Sequence, residues 1–65
     1  MNNMKKRRKR LIKERDQLQK KIVKLDRIFC NESFDELEEA DQHLLRIQLW
    51  SMETYLNVLN ARIGE

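Results

Sequence analysis

The sequence predicts an all-α fold, namely an antiparallel hairpin of two long helices that assembles into a homo-oligomeric helical bundle. The 65 residues include no proline and a single glycine, Gly64, whereas strands joined by tight turns need more residues of these types. Apolar residues recur at alternating intervals of three and four in both halves, as in a coiled-coil contact. We therefore expect residues 1–65 to form one small helical domain.

Helix one is predicted over about residues 3–29. Its seam is the row of positions that should face a partner helix, and it contains Met4, Leu11, Leu18, Ile22, Leu25 and Phe29. Arg8 and Arg15 occupy two further seam positions, where apolar residues belong. Because a buried guanidinium group needs a partner, we expect these arginines to meet glutamates of the other helix or a bound anion.

A connector is predicted over about residues 30–38, where the apolar pattern stops. Ser33 and Glu36 match a capping box, so a short turn of helix is expected there. Phe34 and Leu37 are expected to close this end of the hairpin. Cys30 is the only cysteine, so it cannot form an internal disulfide, and we expect a small buried residue in a reducing compartment.

Helix two is predicted over about residues 39–63, with Gly64 as its stop. Acidic residues near position 39 favour a helix N-terminus. Its seam is spaced as regularly as the first and contains Leu45, Leu49, Met52, Leu56, Leu59 and Ile63. Two matching seams and a short connector predict that the helices pack side by side.

A second row of residues follows one side of the helix-two seam. We call it the second flank, and it contains Leu44, Ile47, Gln48, Ser51, Tyr55, Val58 and Arg62. Helix one has a thinner apolar counterpart in Ile12, Gln19, Val23 and Cys30. A hairpin covers only one face of each helix, and monomers rarely leave a large apolar patch in water. The second flank therefore predicts a homo-oligomer, from a dimer to a hexamer.

The charges are distributed unequally, although the net charge is only +3. Residues 1–30 carry +9 and residues 31–65 carry −6, so the halves should attract each other in the fold. We expect no membrane span and no secretory signal, because no long apolar run is present. With one histidine and no glycine-rich phosphate loop, the sequence predicts neither an enzyme nor a cofactor or metal site.

The run Lys5–Arg10 is typical of a contact with phosphates, although a solvated tail has the same composition. Arg8, Arg15 and Arg62 should all lie near the open end of the hairpin, where few acids are available. Positive charge is therefore expected to converge there. Nucleic acid bound through Lys5–Arg10 is one interpretation, and a smaller anion bound among the helices is another.

The second half of the chain resembles a family of short phage proteins built on a helical hairpin. The shared pattern is F-x-x-L-x-x-x-x-Q-x-L-L-x-x-Q-L-x-x-M-x-x-Y-x-x-x-L-x-x-R-I, which begins here at Phe34 and ends at Ile63. With the preceding segment, the resemblance covers about residues 11–63. Some members, including small proteins of crAss-like phages, are sponges for the cyclic oligonucleotide messengers of CBASS or Thoeris immunity.

The resemblance implies an anti-defence protein of the host bacterial cytoplasm that binds a cyclic di- or trinucleotide without cleaving it. Arginines supply bidentate phosphate contacts and aromatic rings supply stacking surfaces. The ligand-binding residues it favours are Arg62, Lys21, Arg15, Arg8 and Tyr55. Two alternatives stay open: a small basic coiled-coil protein that binds nucleic acid, and a structural or protein-inhibiting phage module.

Overall fold

The computed structural model describes the backbone of residues 2–64 and the side chains of residues 4–64. This part of the chain forms three helices, α1 (Asn2–Phe29), α2 (Glu32–Asp35) and α3 (Glu39–Gly64). The all-α class is therefore confirmed. The two long helices were predicted, and the one-turn helix α2 lies in the connector, where a short turn of helix was expected.

The two long helices lie side by side and run in opposite directions. Leu11, near the start of α1, packs with Leu59 and Ile63, near the end of α3. Farther along α1, Glu14 meets Tyr55. The chain is an elongated rod, with extents of 52 × 15 × 13 Å. We call the end near Leu11 and Ile63 the open end and the opposite end, which contains α2, the connector end.

Most of the predicted seam positions are the residues that the structure buries. Leu11, Ile22 and Leu25 of α1 are buried, and every seam residue of α3 is buried or half-buried. Leu59 has no exposed surface at all. Met4 is the exception, with 78% of its surface exposed, because Leu11 already packs against the last turn of α3. The first turns of α1 therefore extend past the core.

The connector is held by caps other than the predicted one. Asn31, in an extended conformation, is the N-cap of α2, and its side chain accepts a hydrogen bond of 3.1 Å from the Ser33 backbone N–H. The proposed capping box of Ser33 and Glu36 is therefore wrong, since Glu36 is the C-cap of α2. Asn31 takes the cap position because its side-chain oxygen reaches the backbone two residues ahead.

Phe34 closes the connector end as expected, whereas Leu37 stays partly exposed. The ring of Phe34 is buried with its centroid 4.7 Å from that of Phe29, and the Arg46 guanidinium lies 5.4 Å from the Phe34 centroid. The Gln42 side-chain amide donates hydrogen bonds to the carbonyls of Phe34 (2.9 Å) and Leu37 (3.1 Å). The first turn of α3 is thereby fastened to the connector.

Two smaller expectations are corrected. Cys30 is exposed rather than buried, because α1 ends at Phe29 and the chain turns away from the core at the next residue. Gly64 belongs to α3 and has no positive φ, so it does not act as a left-handed stop. The structure also contains no described helix that is long and apolar enough to cross a membrane.

The described residues form no ion pair between the basic first half and the acidic second half of the chain. The one pair among the described side chains joins Arg15 to Asp16, its neighbour in α1, at 3.1 Å. The reason is placement along the rod. Most of the carboxylates of the second half lie at 32–41, at the connector end, whereas the run Lys5–Arg10 lies at the open end. The rod therefore carries opposite charges at its two ends.

Candidate anion-binding groove

A groove of about 340 Å³ lies at the open end of the rod, where α1 begins and α3 ends. It exists because the first turns of α1 continue past the core and leave their inner face uncovered. We call it the open-end groove. Its lining combines three apolar and four cationic side chains: Met4, Leu11, Ile63, Lys5, Arg7, Arg8 and Arg62.

The chemistry of this lining suits a phosphate-bearing ligand. Leu11 and Ile63 are buried and form an apolar floor, and the cationic side chains rise around them. Three of the four cations are arginines, whose planar guanidinium groups bind phosphate oxygens in a bidentate fashion. No carboxylate of the described residues lines the groove to neutralise them. An anion would therefore find several unpaired donors in one place.

Two rows of polar side chains lead away from the groove along one side of the helix contact. Seven residues are almost two full helical turns, so residues spaced by seven share a side of a helix. On α3 this spacing aligns Arg62, Tyr55 and Gln48, and on α1 it aligns Arg7, Glu14 and Lys21.

The hydrogen bond between Tyr55 and Glu14 shows that these two rows face each other. Because the helices are antiparallel, Arg7 and Arg62 then meet at the open end, where both line the groove. Lys21 and Gln48 lie at the other end of the rows. The polar rows thus place a tyrosine and a carboxylate directly beside the cations of the groove.

Tyr55 is fixed in this position by its hydroxyl group, which donates to the Glu14 carboxylate. This hydrogen bond raises the pKa of Tyr55, and desolvation and the negative charge of Glu14 raise it further. The positive charge of Arg62 acts in the opposite direction and lowers the pKa, but this effect is the smallest of the four. Since the hydroxyl already has a partner, the half-exposed ring is what Tyr55 offers to a ligand.

The structure brings together some of the predicted ligand-binding residues and separates others. Arg8 and Arg62 line the same groove, and Tyr55 lies one heptad from Arg62 on the same side. Lys21 also lies on this side, but two heptads from Arg7, which is about 21 Å along the axis at ~1.5 Å per residue. It is too distant to line the groove of the same chain.

The two seam arginines do not occupy the buried positions expected of them. Arg15 is partly buried, but its partner is the adjacent Asp16 rather than a glutamate of the other helix, and it does not line the groove. Arg8 is exposed, because it lies in the part of α1 that extends past the core. It is an open, accessible cation at the groove.

Sequence reasoning did not select three residues of the site individually, although two of them belong to the run Lys5–Arg10 that it named as a phosphate contact. Lys5 and Arg7 line the groove, and Glu14 holds Tyr55. The spacing of seven was a usable signal, because Arg7 and Glu14 repeat at the same interval as Tyr55 and Arg62. The sequence does not predict that the two rows face each other, because this depends on where the connector reverses the chain.

The second flank is exposed along its length, as predicted for a single chain. Leu44, Ile47 and Val58 expose 61%, 45% and 47% of their surfaces. The flank begins near the connector end and reaches Arg62 at the groove. Any partner that covers it would therefore come to lie beside the groove. Trp50 is also exposed but lies outside the flank.

The comparison with known families assigns the chain to one of them. Residues 5–65 match the model of the family described as Sequestin. The chain belongs to the Sequestin family. The match includes the run Lys5–Arg10, which lay outside the resemblance drawn from the sequence, so the cations of the groove are part of the matched segment. No curated protein and no solved structure matches the chain. The family's name denotes sequestration.

Proposed function

We propose that this protein is a phage anti-defence sponge that sequesters cyclic di- or trinucleotide immune messengers in the host bacterial cytoplasm without cleaving them. The observation that carries the proposal is the open-end groove, with its four cations over an apolar floor. The name of the Sequestin family supports sequestration as the mode of action.

The groove matches the chemistry of a cyclic nucleotide in two respects. A ring of nucleotides presents two or three phosphates, which need several cations within a short distance, and the arginines of the groove supply them. Its bases need apolar or aromatic surface, which the floor and the nearby ring of Tyr55 provide.

Binding without cleavage is proposed because no carboxylate or histidine among the described residues lines the groove. The most obvious general base, His43, lies near the other end of α3, about 28 Å from Arg62 along the axis at ~1.5 Å per residue. Glu14 is the nearest carboxylate to the groove cations in the polar rows, and it is already engaged by Tyr55. The messenger would be held and removed from circulation rather than turned over.

Assembly into a homo-oligomer is the second part of the proposal. The exposed second flank supplies the surface, since its apolar side chains are left uncovered by α1. Because the flank ends at Arg62, a symmetry axis that passes near the open end would bring copies of Arg62 from neighbouring subunits toward one another. A symmetric ring of phosphates would meet a symmetric set of arginines, and the ligand would offset their mutual repulsion.

The direct test is to purify the protein from infected or signalling cells, denature it and identify any nucleotide that it releases by mass spectrometry. In parallel, the purified protein is titrated calorimetrically with a panel of cyclic dinucleotides, cyclic trinucleotides and cyclic ADP-ribose. We expect intact di- or trinucleotide to be recovered, and we expect the bound member of the panel to raise Tm by mass action. Binding of cyclic ADP-ribose alone would support sequestration but contradict the ligand class. A panel without any binder would refute the proposal.

The matched pair of variants is Arg62→Ala and Arg27→Ala. Both remove one exposed arginine from a long helix, but Arg27 lies far from the groove. Loss of a charge-assisted hydrogen bond should cost Arg62→Ala roughly 1.5–3 kcal/mol of ligand affinity. Arg27→Ala should bind as the unmodified protein does. Equal losses in the two variants would show that net charge, and not the groove, governs binding.

A further inference from the structure

The face of α1 that points away from α3 carries a continuous stripe of positive charge. Seven cations form it, and we call it the outer stripe: Lys6, Lys9, Arg10, Lys13, Lys20, Lys24 and Arg27. We propose that the outer stripe binds the phosphate backbone of double-stranded nucleic acid, independently of sequence. This activity is separate from the sequestration proposed above.

The geometry of the stripe follows from the helix repeat. Its members, together with Gln17, are separated by three, four or one residues, and at ~100° per residue they stay within about 100° of arc. The same angles place them on the side of α1 opposite Leu11, Leu18 and Leu25, which face α3. All of them are exposed. From Lys6 to Arg27 the stripe extends about 32 Å at ~1.5 Å per residue.

No ion pair among the described side chains involves a cation of the outer stripe. Of the three acidic residues of α1, Asp26 lies off the stripe, and Glu14, four residues after Arg10, accepts the Tyr55 hydroxyl. Asp16 borders the stripe but is paired with Arg15. Lys20, Lys24 and Arg27 share a shallow depression with Asp16, Gln19 and Val23, so three cations there face one already paired carboxylate.

Charge complementarity and shape favour a duplex as the partner. A straight helix holds its cations at fixed intervals over about 32 Å, and a duplex holds its phosphates at fixed positions over a similar length, whereas a single strand is flexible. The stripe has no aromatic side chain on which unpaired bases could stack. Seven exposed cations along a single helix face match the regular spacing of backbone phosphates, so we infer that recognition is through phosphates and independent of sequence.

The outer stripe shares no residue with the open-end groove. The groove uses Lys5, Arg7 and Arg8 from the same basic run, so deleting residues 1–10 would damage both sites. Substitutions at Lys20, Lys24 and Arg27 remove charge from the stripe alone. Each of these positions is at least 12 residues from Arg8, about 18 Å along the helix at ~1.5 Å per residue.

The experiment measures binding to a mixed-sequence DNA duplex of two helical turns by fluorescence anisotropy, over salt concentrations from about 50 to 200 mM. With about six phosphates engaged, affinity should fall on the order of 10³-fold over this range, at a slope of about −0.9 per phosphate. The triple variant Lys20→Gln, Lys24→Gln, Arg27→Gln leaves about three of these contacts and should reduce that loss to about 40-fold. Two unrelated duplex sequences should bind equally.

The double variant Arg8→Gln, Arg62→Gln is the matched control, because it removes charge from the groove and leaves the stripe intact. It should keep the salt dependence of duplex binding. The triple variant in turn should keep the affinity for cyclic nucleotides, so failure of one proposal is distinguishable from failure of the other. An unchanged salt slope in the triple variant would overturn the inference. So would binding only to anionic vesicles, or salt-dependent self-association in place of duplex binding.

Discussion

The second flank offers the sharpest test of assembly, through the substitution Val58→Glu. Val58, Ile47 and Leu44 leave about half of their surfaces exposed in the single chain. Full burial of such a side chain is worth about 1.5–3 kcal/mol, so about 0.7–1.5 kcal/mol per side chain is still available to an interface. In a symmetric dimer each contribution counts twice, so the three side chains supply about 4–9 kcal/mol.

Val58→Glu removes two of these six contributions and places two carboxylates in the contact. The lost burial alone amounts to about 1.5–3 kcal/mol, and unpaired charge adds to it. We therefore expect the dissociation constant of the assembly to rise by at least about 10- to 10²-fold from the lost burial alone, at about 1.4 kcal/mol per tenfold change. The fold of the single chain should survive, because the Val58 side chain is not part of the buried core.

Light scattering at micromolar concentrations measures the mass, and circular dichroism measures helicity. The unmodified protein should show a mass well above 8.0 kDa, and Val58→Glu should approach that value while remaining helical. Asn57→Glu is the matched control, since Asn57 is exposed and precedes Val58 but lies off the second flank. A stable monomer at all concentrations, or equal effects of the two substitutions, would refute the reasoning.

Three further predictions concern the stability of the chain itself. Tyr55 is the sole tyrosine, so phenolate absorbance should give its pKa above the usual value of about 10, and Glu14→Gln should bring it down. Because the folded state holds this proton more tightly, the stabilisation is complete below about pH 10 and is lost as the pH rises through the raised pKa. Leu59→Ala should lower the free energy of unfolding in urea by about 2–5 kcal/mol, since Leu59 is fully buried. Gln42→Ala should cost about 0.5–1.5 kcal/mol by removing two hydrogen bonds at the connector end, whereas Gln17→Ala, which changes an exposed glutamine, should be neutral.

The two long helices and the contact between them could be predicted from the sequence, because a seven-residue repeat of apolar residues determines which side of a helix is buried. The seam residues that are buried for this reason are Leu11, Ile22, Leu25, Leu59 and Ile63. The repeat does not fix how far one helix is shifted along the other. That shift depends on the connector, where Asn31 and Gln42 set the turn by hydrogen bonds that no periodicity encodes.

The displacement of one helix along the other, which the sequence does not determine, accounts for the wrong predictions at the site. Met4 and Arg8 continue the seam of α1 in register, so the sequence predicts them inside the contact. In the structure Ile63 already packs with Leu11, so α3 ends before it can cover the first turns of α1. Met4 and Arg8 therefore lie past the core and line the groove. A seam position without a partner helix is accessible to a ligand. Because of this displacement, Met4 and Arg8 are not buried as predicted, and Arg8 is instead accessible to a ligand.

The positive charge at the start of α1 destabilises the first turns of this helix. A helix N-terminus has a partial positive charge and is stabilised by acidic residues, yet the first turn of α1 contains none and Lys5–Arg10 follow directly. Lys5, Arg7 and Arg8 then meet Arg62 around one groove. An anion in the groove would satisfy the helix dipole and the four cations at once. Part of its binding energy would stabilise the first turns of α1. The proposed sequestration would then increase the stability of the open end, because a ligand that binds the folded state stabilises it.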